Sequence, residues 1–131
     1  KYFNSRAIDE FLLIFLVCAK SKGMSHFKGI SELRHKESDR LKIASNLLRM
    51  IGIKIYEKKD SLKIYGNPKL ELNKNIKITN FVKDHRVFMM SCIAALSFGG
   101  SWQINDKNSI NTSFPSFLKI IKFLGGKYEV K

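Results

Sequence analysis

The apolar residues of this chain gather into four helix-like blocks, each opened by a polar cap and closed by glycine, with short alternating segments between them. The first block is Phe11-Leu12-Leu13-Ile14-Phe15-Leu16-Val17. It predicts a helix over residues 9–22, capped by Asp9 and stopped by Gly23. Being apolar all round, that helix is expected to be buried on most sides. A short strand is predicted over 24–30. A second helix begins at Ser38, and its residues Leu41, Ala44, Leu47, Leu48 and Ile51 share one face before Gly52 ends it. Strands follow at Ile53–Glu57 and Leu62–Tyr65, joined by the polar turn Lys58-Lys59-Asp60. Asn67-Pro68 marks a turn, and Leu70–Leu72 and Ile76–Ile78 are further short strand candidates. Asp84 caps a third helix containing Val87, Phe88, Met90, Ile93 and Ala94, which Gly99-Gly100 ends. Ser101–Ile104 is a strand. Thr112 or Ser113 caps a fourth helix, with Pro115 in its first turn, where a missing N–H costs little. Gly125-Gly126 closes it, and Tyr128–Val130 is a last strand.

This order repeats. Asp9 and Asp84, which each open an apolar helix, lie 75 positions apart, and so do Ser38 and Ser113, which each open the next one. Internal repetition on this scale implies stacked α/β units that share a core. The leading strand of the first unit is either missing or within Lys1–Ala7, so the chain is expected to be part of a longer protein.

Charge narrows the picture. The chain has 131 residues and a formal net charge of +13, with 44% hydrophobic and 27% charged residues. A soluble domain, or part of one, is expected. The longest apolar run, Phe11 to Ala19, is far short of the roughly 18–20 residues that cross a bilayer. Asp9 and Glu10 precede it where a signal peptide would carry positive charge, so a cytoplasmic protein with no membrane partner is expected. Cys18 and Cys92 lie in apolar stretches without metal-ligand spacing, so buried reduced thiols are expected, with no metal. The lysines are scattered. The five arginines are Arg6, Arg34, Arg40, Arg49 and Arg86, and three of them stand in the two most polar motifs. Those are the places where bidentate anion recognition would want them.

The first such motif is Glu32-Leu33-Arg34-His35-Lys36-Glu37-Ser38-Asp39-Arg40-Leu41. A solvated loop and a capped helix start explain most of it: Ser38 caps, and Glu37 and Asp39 suit the positive helix end. Arg40 does not fit, because a cation in the first turn opposes the helix dipole. It is easier to account for if it faces a bound anion, which the same helix start would also attract. Asp84-His85-Arg86 repeats the arrangement, with potential cations just inside a helix start. Asp9-Glu10 and Thr112-Ser113 read singly as ordinary caps. In stacked units, equivalent helix starts open on one side, so Asp9, Lys36–Arg40, His85-Arg86 and Thr112-Ser113 are expected to converge on one cleft.

At these residues the chain resembles the 5-enolpyruvylshikimate-3-phosphate synthases. Arg34-His35-Lys36-Glu37-Ser38-Asp39-Arg40-Leu41 is similar to the family run Arg-x-Lys-Glu-Ser/Thr-Asp-Arg-Leu/Ile. Asp84-His85-Arg86 resembles the family motif Asp-His-Arg-x-Ala-Met. Ile8-Asp9-Glu10-Phe11 resembles Ile-Asp-Glu-Tyr/Phe-Pro, and Ser113-Phe114-Pro115 with Phe117 resembles the final Ser/Thr-Phe-Pro-x-Phe. The four motifs occur in family order. The resemblance implies an α/β (α+β) fold of repeated βαβαββ-like units, belonging to one half of an inside-out α/β barrel and incomplete here. Residues 1–131 would be the C-terminal part of that domain, with units at 1–80 and 81–131. The implied reaction moves the enolpyruvyl group of phosphoenolpyruvate to the 5-hydroxyl of shikimate 3-phosphate, releasing phosphate, without a cofactor. By resemblance Asp9 accepts a proton, Glu37 donates one, and Lys36 contacts shikimate 3-phosphate and tunes both carboxylates. Arg40 and Arg86 would clamp phosphoenolpyruvate. His85 and Thr112 would line the site, His85 without a proton-transfer role. The implied partner is the remaining part of the same enzyme, monomeric when complete.

The chain departs from the family pattern at three described motifs: Thr112 stands where some members carry lysine, Phe88 replaces a small residue, and Leu12 replaces proline. Two other functions compete. A related enzyme acting on a UDP-sugar shares the fold, but the Lys36–Arg40 run argues against it. A basic nucleic-acid-binding module would need clustered cations with exposed aromatics, whereas most aromatics here fall at apolar helix positions.

Overall fold

The computed structural model describes residues 10–36, 38–78, 84–104, 119, 121–122 and 124–126. Its elements are α1 (Phe11–Lys20), β1 (Gly23–Lys28), a 3₁₀ turn (Ser31–His35), α2 (Arg40–Met50), β2 (Lys54–Lys58), β3 (Ser61–Gly66), β4 (Asn75–Ile78), α3 (His85–Phe98) and β5 (Ser101–Ile104). The predicted cap Asp9, the Thr112-Ser113 start of the fourth helix and the strand Tyr128–Val130 lie outside the described residues.

β1, β3 and β2 form one antiparallel sheet with β3 at its centre. β1 and β2 therefore run the same way. α2 makes the crossover between them, and the tight β2–β3 hairpin fills the gap it leaves. β4 and β5 pair in parallel and are joined by α3, a second βαβ connection. Strand pleating divides the first sheet cleanly. Phe27, Leu62, Ile64 and Ile55 point inward and are buried. Met24, His26, Lys28, Lys54, Tyr56, Lys58, Lys63 and Tyr65 occupy the alternate positions.

α1 and α2 pack on the inner face of that sheet and on one another, and α3 packs on both of these helices and on β5. Phe11 and Phe15 of α1 meet Phe27 of β1, with ring centroids 5.0–5.8 Å apart. α2 buries Leu41, Ala44, Leu47 and Leu48, the face its periodicity predicts. α3 buries Val87, Phe88, Met90, Ala94 and Phe98. Phe88, where the family pattern has a small residue, is thus a core residue, and so is Leu12. At the far end of α1 the β3 terminus passes so close that a Cβ on Gly66 would overlap the carbonyl oxygens of Ser21 and Cys18.

Several expectations change. α1 is shorter than 9–22; it is buried on most sides, as expected, and leaves one stripe open, where Leu13 and Val17, one turn apart, are 40% and 65% exposed. Its N-cap position is Glu10, which makes no side-chain cap bond. Leu70–Leu72 is not a strand. Its backbone bonds elsewhere, Leu72 N–H to Phe98 O at 2.7 Å, while Leu70 O accepts from Lys20 Nζ at 2.9 Å. The segment therefore ties α1 to the end of α3. The 3₁₀ turn at Ser31–His35 was not anticipated.

Candidate active site

The start of α2 sets the geometry. Its cap is Asp39, not Ser38: the Asp39 carboxylate accepts from Lys42 N–H at 2.9 Å. Ser38 is engaged across the fold instead, donating from Oγ to Asp84 Oδ2 at 2.5 Å. Beside it, Arg40 donates from Nε to Asp84 Oδ2 at 3.1 Å and from Nη2 to Asp84 Oδ1 at 3.2 Å. Both partners are buried, Arg40 2% and Asp84 0% exposed. The anion that offsets the first-turn cation of α2 is therefore a carboxylate of the chain itself.

Asp84 also caps α3, its Oδ1 accepting from the amides of Arg86 at 3.0 Å and Val87 at 3.3 Å. Burial opposes ionisation of this carboxyl. The hydrogen bonds from Arg40 and Ser38, the Arg40 charge and the Val87 amide outweigh that and hold its pKa below the ordinary carboxylate value. One residue thus joins the starts of α2 and α3. The start of α1 joins them through Arg86, which donates from Nη1 to Glu10 Oε1 at 3.0 Å on the protein surface. Three positive helix ends and the side chains of Arg40 and Arg86 are thereby gathered in one place, the arrangement expected of a cleft that receives anions.

The other side of the α2 start is tied to the sheet. Arg34 bridges Asp39 and Glu57, with its nearest contacts at 3.0 Å to each carboxylate. Glu57 is nearly buried and also meets Lys42 at 3.6 Å and Arg49 at 3.4 Å. A continuous polar seam therefore runs from β2 through Arg34, Asp39 and the α2 start to Asp84, Arg86 and Glu10.

Of the residues singled out from sequence, Lys36 follows the 3₁₀ turn and is half-buried, and His85 is half-buried at the first position of α3. Arg40 and Arg86 meet through Asp84. Asp9, Glu37 and Thr112 lie outside the described residues. Sequence reasoning missed the positions of Ser38 and Glu57. Glu57 carried a readable signal, since it continues the inward series Ile53, Ile55 with a charge.

Cys92 is a poor nucleophile, because burial pushes its thiol up to about 12. Among the described residues no cluster of three His, Cys, Asp or Glu side chains is placed to hold a metal ion, and no helix is long and apolar enough to cross a membrane. The open hollows of the described surface, one bounded by Asn75 and Trp102 and one by His26 and Lys58, lie away from the helix starts.

Comparison with known proteins agrees with this geometry. The family model described as EPSP synthase (3-phosphoshikimate 1-carboxyvinyltransferase) matches residues 5–121. A 3-phosphoshikimate 1-carboxyvinyltransferase of Zymomonas mobilis is 37% identical over 125 residues, covering 94% of this chain and 28% of the relative. One from Magnetococcus marinus is 39% identical over 124 residues, covering 95% and 27%. The chain therefore spans little more than a quarter of the length of these relatives. The solved EPSP synthase of Acinetobacter baumannii superposes with a TM-score of 0.80 at 31% identity, over 89% of this chain and 27% of that one. The enolpyruvyl transferase NikO of Streptomyces tendae, at 17% identity and a TM-score of 0.65 over 91% of this chain and 25% of that one, shares the fold. With the family match extending over nearly its whole length, this chain belongs to the EPSP synthase family.

Proposed function

We propose that this chain forms one wall of the active site of a cytoplasmic 3-phosphoshikimate 1-carboxyvinyltransferase, built as two repeat units, 1–80 and 81–131, and completed by the remaining part of the same enzyme. The substrates are shikimate 3-phosphate and phosphoenolpyruvate, no cofactor takes part, and the complete enzyme is a monomer. The observation that carries the reading is the convergence of three helix starts through Arg40–Asp84 and Arg86–Glu10. Both substrates are multiply charged anions, and this is where the chain concentrates its oriented positive charge.

In the reaction the 5-hydroxyl oxygen of shikimate 3-phosphate adds to the central carbon of phosphoenolpyruvate. The hydroxyl proton leaves, and the methylene carbon takes one up. The tetrahedral intermediate then expels phosphate and loses a methyl proton, restoring the vinyl ether. Asp9 accepts the hydroxyl proton and Glu37 delivers the carbon-bound one. Lys36 lies one residue from Glu37, contacts shikimate 3-phosphate and tunes both carboxylates. Arg40 and Arg86 supply the charge that meets the carboxylate and phosphate of phosphoenolpyruvate. Their planar forks suit both groups. His85 and Thr112 line the site.

The test is kinetic and uses the full-length enzyme. Glu37→Gln should lower kcat by about 10²–10⁴-fold with little change in KM, since the amide keeps its shape and cannot give a proton. Arg86→Ala should raise KM for phosphoenolpyruvate strongly. Arg40 is a poorer probe, because its removal strips the buried Asp84 of a principal partner. Near-normal turnover in Glu37→Gln would sink the proton-donor assignment.

A further inference from the structure

Arg34 has no assigned part in the reaction, yet its guanidinium is heavily committed. It makes five hydrogen bonds to described residues: Nε to Lys59 O at 2.8 Å, Nη1 to both Asp39 oxygens at 3.2 and 3.0 Å, and Nη2 to Glu57 Oε2 at 3.0 Å and Lys58 O at 2.8 Å. The placing of these bonds along the chain is informative. Lys58 and Lys59 belong to the β2–β3 hairpin, which is fixed by its ladder on the central strand β3. Asp39 lies on the far side of Lys36 and Glu37 from Arg34. The bond from Arg34 to Asp39 therefore closes the intervening residues into a short loop, and the other bonds moor that loop to the sheet.

We propose that Arg34 is a positioning residue for the transfer reaction, setting where Lys36 and Glu37 stand by clamping Asp39 to the β2–β3 hairpin. The proposal rests on the reading of Lys36 and Glu37 as site residues. Lys36, Ser38 and Asp39, the described residues between the 3₁₀ turn and α2, belong to no helix or strand. Lys36 is extended, at φ −92° and ψ −158°, and Ser38 is engaged at its side chain and by the Arg40 amide. A proton donor on such a segment needs an external brace to stay within hydrogen-bond reach of its target carbon. The brace has to be arginine. Four separate acceptor groups, two carboxylates and two carbonyls, surround one planar group, and a lysine ammonium has neither the number nor the spread of donors to meet them. Glu57 is part of the device, since its nearly buried carboxylate fixes the guanidinium plane while Asp39 fixes the loop.

The experiment is a double-mutant cycle in the full-length enzyme, with kcat and KM measured for both substrates and thermal melting followed in parallel. Arg34→Lys should lower kcat about 10- to 100-fold, the scale of loss that a misplacement near 1 Å brings, with KM for both substrates within about threefold. A merely structural arginine would lower the melting temperature and leave kcat of the folded fraction unchanged. In Arg34→Lys/Glu37→Gln the second loss should nearly vanish, because Arg34 acts through Glu37. Losses that multiply, or a kcat within about twofold of the parent in Arg34→Lys, overturn the proposal. Should Arg34→Lys fail to fold, Asp39→Asn replaces it: the side chain can still cap α2 while its bond to Arg34 loses the charge. A fall in kcat without a matching rise in KM supports the proposal there too, and unchanged kcat overturns it. Glu37→Gln alone is the reference. Normal turnover in it overturns the site reading and this inference together, whereas a slow Glu37→Gln beside an unaffected Arg34→Lys overturns this inference alone.

Discussion

Asp84→Asn tests how the helix starts are held together. Asp84 is fully buried and accepts from Ser38 Oγ, from Nε and Nη2 of Arg40, and from the amides of Arg86 and Val87. Asparagine keeps one acceptor oxygen. Turned toward Arg86 and Val87 it still caps α3, and asparagine is as good a cap as aspartate. Its amide nitrogen then faces Arg40 Nε, a donor against a donor, while the Ser38 hydroxyl can turn to accept. Arg40, itself 2% exposed, loses its carboxylate partner. Removing one member of a buried ion pair costs about 3–5 kcal/mol, a large share of the 5–15 kcal/mol typical of a folded domain's total stability. Asp84→Ala should cost about 1 kcal/mol more, through loss of the cap. Urea unfolding at pH 7 reads the difference as a fall in midpoint at unchanged slope. Arg40→Met added to Asp84→Asn should recover part of the loss, because it removes the charge as well as its partner. The pH dependence has a definite sign. The folded carboxyl titrates below its unfolded value of about 3.9, so its contribution is complete above that pH and is lost as pH falls through the folded pKa. The gap between parent and Asp84→Asn should therefore narrow below about pH 4. A loss under about 1 kcal/mol at pH 7, or no recovery on adding Arg40→Met, would refute the reasoning.

Two further substitutions probe the packing around this site. Gly66→Ala should destabilise by about 3 kcal/mol, since the new methyl meets backbone carbonyls at the end of α1 that cannot swing away. A melting temperature within a degree of the parent would show that β3 and α1 are less closely joined than described. Ser45→Ala should raise stability by about 0.5–1 kcal/mol. Its hydroxyl is buried in α2 without a hydrogen-bond partner among the described residues, and alanine is the better helix former. Destabilisation in that variant would mean the hydroxyl has a partner after all.

Periodicity and punctuation carried much of the fold. The inner face of α2, the cap at Asp84, the glycine stop after α3 and the β2–β3 hairpin all follow from local rules, and local energetics decides each of them. The errors fall where tertiary contacts decide. Ser38 and Asp39 are both good caps one residue apart. Asp39 takes the role because Asp84, 46 residues away, engages the Ser38 hydroxyl. Leu70–Leu72 alternates like a strand, but its groups bond to α1 and to the end of α3, so no ladder forms. The apolar α1 gave no sign of which face would stay uncovered, because periodicity is silent where every position is apolar. The 3₁₀ turn is too short to show a period at all. At the site, the misfit of Arg40 with its helix dipole was legible, though it pointed to a bound anion. That the anion includes a carboxylate of the same chain was not, since nothing local relates Arg40 to Asp84.

This internal pairing bears on how a family that binds anions can carry its arginines at helix starts. Among the described residues, Arg40 and Arg86 stand against Asp84 and Glu10 at this end of the molecule, two cations against two carboxylates. Those formal charges cancel, and each of the three helix starts adds a positive partial charge of about half a unit. Without the two carboxylates the cluster would repel itself and the arginines would splay into solvent. With them the guanidiniums are fixed in direction while the site as a whole stays positive. The outer face of the first sheet makes the contrast. Lys28, Lys54, Lys58 and Lys63 gather more formal charge there, and among the described residues none of them is in an ion pair. Desolvation, with the charges of Lys28, Lys63 and Lys58, lowers the pKa of His26, but these ammonium groups have no planar fork to define an anion's orientation. For the function proposed above, selectivity for an anionic substrate therefore depends less on the net charge of +13 than on the few cations whose direction the chain itself has fixed.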